Sequence, residues 1–151
     1  MQGEIRSLIF ELRRDPVRGG LVAALTRHAE GIGRSEGLTI KVSGPTARLP
    51  LCPRVEAQLF GIAREALANV LRHAEATAAQ VRVEFQRGQV LVEICDNGHG
   101  FDTEGVGYPG HFGLESMRSR AAEIDARLTI ASAPASGTAV RVRVDAEEEG
   151  P

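Results

Sequence analysis

Apolar residues along this chain follow two rhythms, and the order of those rhythms suggests an architecture. From Glu4 to Arg14, Ile5, Leu8, Ile9 and Leu12 recur at three- and four-residue spacing, the stripe of an amphipathic helix. That helix either packs on the domain's own core or is the tail of a longer one, because its stripe begins almost at Met1. Asp15-Pro16 then supplies an N-cap acid and a proline at the first position of a second helix. Leu21, Ala24, Leu25, Ala29 and Ile32 carry its apolar face, and Gly31 and Gly33 let it stop. Leu38 to Val42 alternates as a strand and is closed by Gly44-Pro45. A third helix is predicted over residues 55–74. The alternating runs Val81 to Phe85 and Val90 to Cys95, linked by Gln86-Arg87-Gly88-Gln89, form a β-hairpin. A last helix opens at Gly113-Leu114, with Leu114, Met117, Ala121 and Ile124 on one side. A second hairpin pairs Leu128 to Ile130 with Val140 to Val144 around a turn from Pro134 to Thr138.

The third helix holds the first chemical signal. At about 100° per residue, Leu59, Ala63, Ala66, Leu67, Val70 and Ala74 fall on one side and Gln58, Gly61, Glu65, Asn69 and Arg72 on the other. A polar side usually faces solvent. This one is unusual in carrying a glycine, at a cost of about 1 kcal/mol, and a single short amide. Glu65, Asn69 and His73 stand in a row one turn apart, with Arg72 beside them. An amide oxygen suits a hard cation such as Mg²⁺, and arginine suits phosphate oxygens.

The second signal is Asp96-Asn97-Gly98-His99-Gly100, where a strand gives way to a loop. An acid there can accept from an exocyclic amine, and Gly98 and Gly100 let backbone approach a flat ring. The same residues are also ordinary turn chemistry. From Phe101 to Phe112 no hydrophobic period survives among Gly105, Gly107, Pro109 and Gly110, so this stretch is either a surface loop or a mobile lid. It leads into a helix N-terminus, where free N–H groups and the dipole favour anions. Arg118 and Arg120, farther along, read as structural or surface charges.

Composition narrows the classes. At 151 residues and 42% hydrophobic, the chain supports one well-buried core, built from aliphatic residues because aromatics are only 4%. Eighteen basic against twenty acidic residues give no bulk attraction to nucleic acid or anionic lipid. Cys52 and Cys95 make no disulfide framework and read as reduced thiols in a cytosolic domain. No run reaches the roughly 20 apolar residues of a membrane helix, and no signal peptide is evident.

Four of these stretches together resemble a known family. Glu65-Ala-Leu-Ala-Asn69-Val-Leu-Arg72-His73-Ala74 is similar to the N box of the GHKL ATPases, which include gyrase, heat-shock chaperones, mismatch-repair ATPases and histidine kinases. Asp96 to Gly100 resembles their first glycine box, His111-Phe-Gly113-Leu114 their second, and Ser136-Gly137-Thr138 their final Gly-Thr element. The wording from Gly110 to Arg120 is closer still to sensor histidine kinases of the NarL-partnered subfamily. The resemblance implies an α/β two-layer sandwich, with a mixed five-stranded sheet and helices on one face. It implies ATP and Mg²⁺ as cofactors, and a kinase that donates the γ-phosphoryl group to a histidine. By resemblance Asp96 binds the adenine amine, Gly98 and Gly100 shape the base pocket, and Thr138 lines it. Asn69 holds Mg²⁺, Glu65 orients or activates the attacking group, and Gly113 and Leu114 meet the phosphates. Arg72 stands where the family often has lysine, and His73 lies near the ribose or phosphates.

Two departures are local: His111 replaces the first glycine of the second box in many members, and Ala135 a glycine that often precedes Gly-Thr. The family's acceptor histidine lies on a first dimerisation helix, which would precede Met1; His28, followed by Ala-Glu, reads as a surface residue. The resemblance thus divides the chain into residues 1–15, the truncated tail of the second dimerisation helix; residues 16–146, the ATP-binding catalytic domain; and residues 147–151, a flexible acidic tail. Its implied partners are the dimerisation and phosphoacceptor helices of the parent kinase and a response-regulator receiver domain, with no nucleic acid. The chain itself is expected to be monomeric and cytoplasmic, and the parent homodimeric and open to membrane anchoring. Two rivals share the boxes: an anti-sigma-type serine kinase, disfavoured by the apolar stretch before Asp15, and a nucleotide-binding module without transfer.

Overall fold

The computed structural model describes residues 17–99, 111–132 and 137–147. Five strands, β1 (Thr39–Ser43), β2 (Ala78–Gln86), β3 (Gln89–Asp96), β4 (Arg127–Ser132) and β5 (Thr138–Asp145), form one sheet in the order β1-β2-β3-β5-β4. Only β1 and β2 run parallel, and their crossover contains a helix; the other neighbours are antiparallel. The period of two sorts the faces. Ala79, Val81 and Val83 of β2, Val90, Val92 and Ile94 of β3, and Val140, Val142 and Val144 of β5 are all buried. On this face pack α1 (Leu21–Glu36), α2 (Pro53–Asn69) and α3 (His111–Glu123), whose Leu25, Leu59, Ile62, Leu67 and Met117 are fully buried. Each such side chain contributes roughly 1.5–3 kcal/mol by leaving water. The expected two-layer sandwich with a mixed five-stranded sheet is therefore the observed one.

Several boundaries differ from the sequence reading. The second helix does not begin at Asp15-Pro16, which lie outside the described residues along with the stripe of Ile5 to Leu12. It begins at Leu21, after a turn in which Gly20 N donates to Val17 O at 2.7 Å. Gly31 and Gly33 do not end it either. It runs to Glu36 and stops at Gly37, whose φ of 74° is the left-handed conformation that closes a helix. The third helix starts at Pro53, with proline in the first turn, and changes at Val70–Ala74 to a π-helical turn. Arg87 and Gly88, both at positive φ, make the tight two-residue link of the first hairpin. His28 is half-buried, edge-on to Phe60 at 5.7 Å, where a surface residue was expected. Burial first, and Arg64 second, lower its pKa. The backbone of Glu147, first residue of the expected tail, donates to Pro50 O.

The face away from the helices is charged. Glu93 is buried there because Arg82 Nη2 lies 3.1 Å from its Oε1 and Arg141 donates to its Oε2. Toward the open edge, Arg127 of β4 stands directly across from Arg143 of β5. The hydrogen bond from Arg141 is the main cause holding the Glu93 carboxyl below its ordinary pKa of 4.5. A depressed carboxylate contributes stability that is complete above its unfolded value and is lost as pH falls through the folded one. We expect Tm to fall on acidification below pH 4.5, and Glu93→Gln to flatten that fall while lowering Tm at neutral pH. Thermal melts of both proteins across that pH range provide the check; parallel curves would contradict it.

Candidate nucleotide site

From Gln58 to Asn69 the polar side of α2 is covered by another helix. It faces α3, which runs antiparallel to it: Gln58 and Gly61 meet Glu123 and Arg120 at one end, and Glu65 and Asn69 meet Gly113 at the other. A Cβ on Gly113 would lie 2.7 Å from Glu65 Oε1 and 3.2 Å from Asn69 Oδ1, so the bare glycine lets the start of α3 sit this close without displacing either side chain. The helix starts at His111, two residues before the expected Gly113. Gly113 still belongs to its first three positions, whose N–H groups have no partner within a helix, and Leu114 follows directly. Both residues are buried.

Asn69 Oδ1 is buried and has no hydrogen-bond partner among the described residues. Leaving such an oxygen unsatisfied costs about 1–3 kcal/mol, so its position suits a water or a hard cation. Among the described residues no group of three or more His, Cys, Asp or Glu could hold a metal. Arg72 is exposed on the π-helical turn that follows, a departure from regular helix often found at functional sites. His73 shares that turn, and its side chain lies outside the described residues.

Asp96 is the last residue of β3 and is half-buried. Its Oδ1 accepts from Gly98 N at 2.7 Å, and its carboxylate also accepts from the Thr138 backbone. Burial raises its pKa; the two backbone N–H groups and His99 oppose that rise. Thr138 is the register partner of Asp96, and its hydroxyl lies 2.8 Å from Ser132 Oγ. Gly137, at φ 73°, presses against this point: a Cβ there would fall 2.4 Å from Asp96 O. Gly100 and the stretch from Phe101 to Gly110 lie outside the described residues.

The two clusters share one end of the sheet. After Asn69 the chain makes the π-helical turn and enters β2 at Ala78; Ala79 is the register partner of Asp96. Asn97 fixes the junction, its Oδ1 accepting from Thr77 N and Ala78 N, each at 3.0 Å, and its Nδ2 donating to Thr77 Oγ1. Glu65, Asn69 and Gly113 thus form one cluster and Asp96, Gly98 and Thr138 a second, joined by the short path from Asn69 to β2. Sequence reasoning overlooked the roles of Asn97 and Ser132; an amide after a strand-ending acid was a weak signal for the first, and nothing marked the second. A groove of about 300 Å³ between α1 and β1, lined by Thr26, Glu30, Leu38 and Ile40 among others, shares no residue with either cluster.

Comparison with known proteins places the chain in a family. Residues 54–148 match the family described as histidine kinase-, DNA gyrase B-, and HSP90-like ATPase. The chain is 34% identical over 145 residues to the signal transduction histidine-protein kinase/phosphatase DegS of Brevibacillus brevis, covering 93% of this chain and 36% of that protein. It is 32% identical over 152 residues to the sensor histidine kinase LiaS of Bacillus subtilis (strain 168), covering 99% of this chain and 41% of the other. The chain therefore spans well under half the length of these curated relatives. Among solved structures, the ATP binding domain of PrrB from Mycobacterium tuberculosis superposes with a TM-score of 0.67 at 22% identity, covering 85% of this chain and 96% of that one. The Erythrobacter litoralis EL346 blue-light activated histidine kinase gives 0.71 at 22% identity, covering 84% and 42%. These two share the fold.

The contact at Gly137 yields a prediction. Gly137→Ala places a methyl group against Asp96 O in a left-handed conformation, and should destabilise the protein by about 2 kcal/mol or more. In a chain of this size that lowers Tm by about 4–8 °C. A melt that leaves Tm unchanged would contradict the packing described.

Proposed function

We propose, from the premise that the chain belongs to the histidine kinase-, DNA gyrase B-, and HSP90-like ATPases, that it is the MgATP-holding catalytic domain of a two-component sensor histidine kinase. The observation that carries this reading is the start of α3 seated on Glu65 and Asn69, with the Asn69 amide oxygen buried and unpartnered among the described residues. Asp96 would accept from the adenine amine, in a pocket shaped by Gly98 and Gly100 and lined by Thr138. The N–H groups of Gly113 and Leu114 would face the phosphates, with Arg72 and His73 on the same side. Asn69 Oδ1 would be the protein's ligand to Mg²⁺, phosphates and waters supplying the rest. Bound there, the ion neutralises charge on the phosphates.

In the transfer, a bond forms between the γ-phosphorus and an imidazole nitrogen as the bond from that phosphorus to the leaving oxygen of ADP breaks. Glu65 orients the imidazole through its N–H or takes that proton. The protein's share is positioning and charge placement, as phosphoryl transfer mostly requires. The acceptor histidine would lie on the parent kinase's phosphoacceptor helix, with residues 1–15 the tail of its second dimerisation helix, residues 16–146 the catalytic domain and residues 147–151 a tail. The parent would act as a homodimer and pass the phosphoryl group to a response-regulator receiver domain. No helix among the described residues is long and apolar enough to cross a membrane. We place this domain in the cytoplasm, whether or not the parent is membrane-anchored.

MgATP or MgADP should raise Tm, since a ligand at about 100 times its Kd adds about 2.7 kcal/mol. Asp96→Ala should abolish that shift; an undiminished shift would sink the adenine assignment. Incubated with MgATP and a dimerisation-helix protein bearing the acceptor histidine, the chain should label that protein with acid-labile phosphate. Acid-stable phosphate on serine would instead favour the serine-kinase reading, and tight nucleotide binding with no transfer the non-enzymatic one.

A further inference from the structure

The end of α3 remote from Gly113 is fixed by a contact that the nucleotide reading does not use. A Cβ on Gly61 would fall 2.7 Å from Arg120 Nη1, 2.9 Å from Cζ and 3.0 Å from Nε, so the guanidinium plane lies against the bare glycine. Arg120 Nη1 donates to Gln58 Oε1 at 2.9 Å, and Gln58 Nε2 donates to Glu123 Oε2 at 2.8 Å. Arg54 Nη1 donates to Glu123 O at 3.1 Å, closing the network at the helix end. Gly61 precedes Glu65 and Asn69 by about 6 and 12 Å along α2, and Arg120 follows Gly113 by about 10.5 Å along α3. In an antiparallel pair these spans match.

We propose that Arg120 is a positioning residue for the phosphate end of the nucleotide site: its guanidinium, seated on Gly61, fixes the axial register of α3 on α2. That register sets how the N–H groups of Gly113 and Leu114 stand toward Glu65 and Asn69. The inference rests on the nucleotide reading of those four residues. Aliphatic contacts between helices are non-directional and allow small slides, whereas a flat, hydrogen-bonded plate in a one-residue notch does not. Lysine has no such plane. Glycine at 61, unfavourable inside a helix, has its explanation here.

Gly61→Ala tests this without endangering the fold. Alanine is the better helix former, and the atoms its methyl meets belong to the end of a flexible side chain, which can swing away. Arg120→Gln removes the plate from the other side. NMR titrations of the chain, with Mg²⁺ present, would measure affinity for ATP and for adenosine, which reports on the base pocket alone. Each variant should lose roughly tenfold in ATP affinity while adenosine affinity holds, so their ratio falls roughly tenfold. A purely structural role would weaken both ligands together and leave the ratio unchanged; that result, or unchanged affinity for both, overturns the proposal. Failure of the natural chain to bind ATP would overturn the nucleotide reading itself.

Discussion

The approach of the α3 N-terminus to the polar side of α2 is the constraint on which the site depends. Gly113 touches the side chains of Glu65 and Asn69, and the amide oxygen of Asn69 is left buried beside it without a partner among the described residues. A buried oxygen without a donor is unfavourable for a fold taken alone. It is intelligible where the fold is arranged around something that supplies the missing contact. The sheet makes the arrangement possible by fixing both helices on one face, through a core drawn from β2, β3 and β5 with half-buried residues of β1 and β4 packed against it.

The acid at the end of β3 is handled differently. Burial works against the charge of Asp96, yet two backbone N–H groups, from Gly98 and Thr138, support it. The carboxylate is therefore oriented by main chain from two directions, with little freedom to turn toward solvent. Asn97 ties the same corner to the first residues of β2, and the path from Asn69 to β2 is a single π-helical turn and a short link. Displacement of either cluster would be felt by the other through covalent chain and a handful of hydrogen bonds.

Much of this was legible in the residues. Period-two alternation gave all five strands because one face of the sheet is buried and the other charged, and the boundary at Asp96 followed from the change to Asn-Gly. Helix ends were less legible. Gly31 and Gly33 are tolerated inside α1, and only Gly37 takes the left-handed conformation, a choice made by backbone geometry that composition does not display. The polar side of α2 looked like a solvated face because a helix projection cannot show that another helix covers it. Glycine at 61 and the short amide at 69 were the hints, and the partner of the first, Arg120, lies 59 positions away in the chain. The π-helical turn carries no local signal either; Val70 to Ala74 would suit a regular helix equally well.

The exposed side of the sheet has a consequence for how copies of the molecule behave toward each other. Arg127 and Arg143 face one another across the last two strands, and like charges opposed in this way cost the sheet stability. At the boundary of a sheet that penalty has a use. An incoming strand seeking the unpaired N–H and C=O groups of β4 meets Arg127 at one end of that strand, with Arg143 beside it, and a charge on an edge strand discourages stacking of one sheet onto the next. The strain of one like-charged pair thus falls at the edge where a further strand would add.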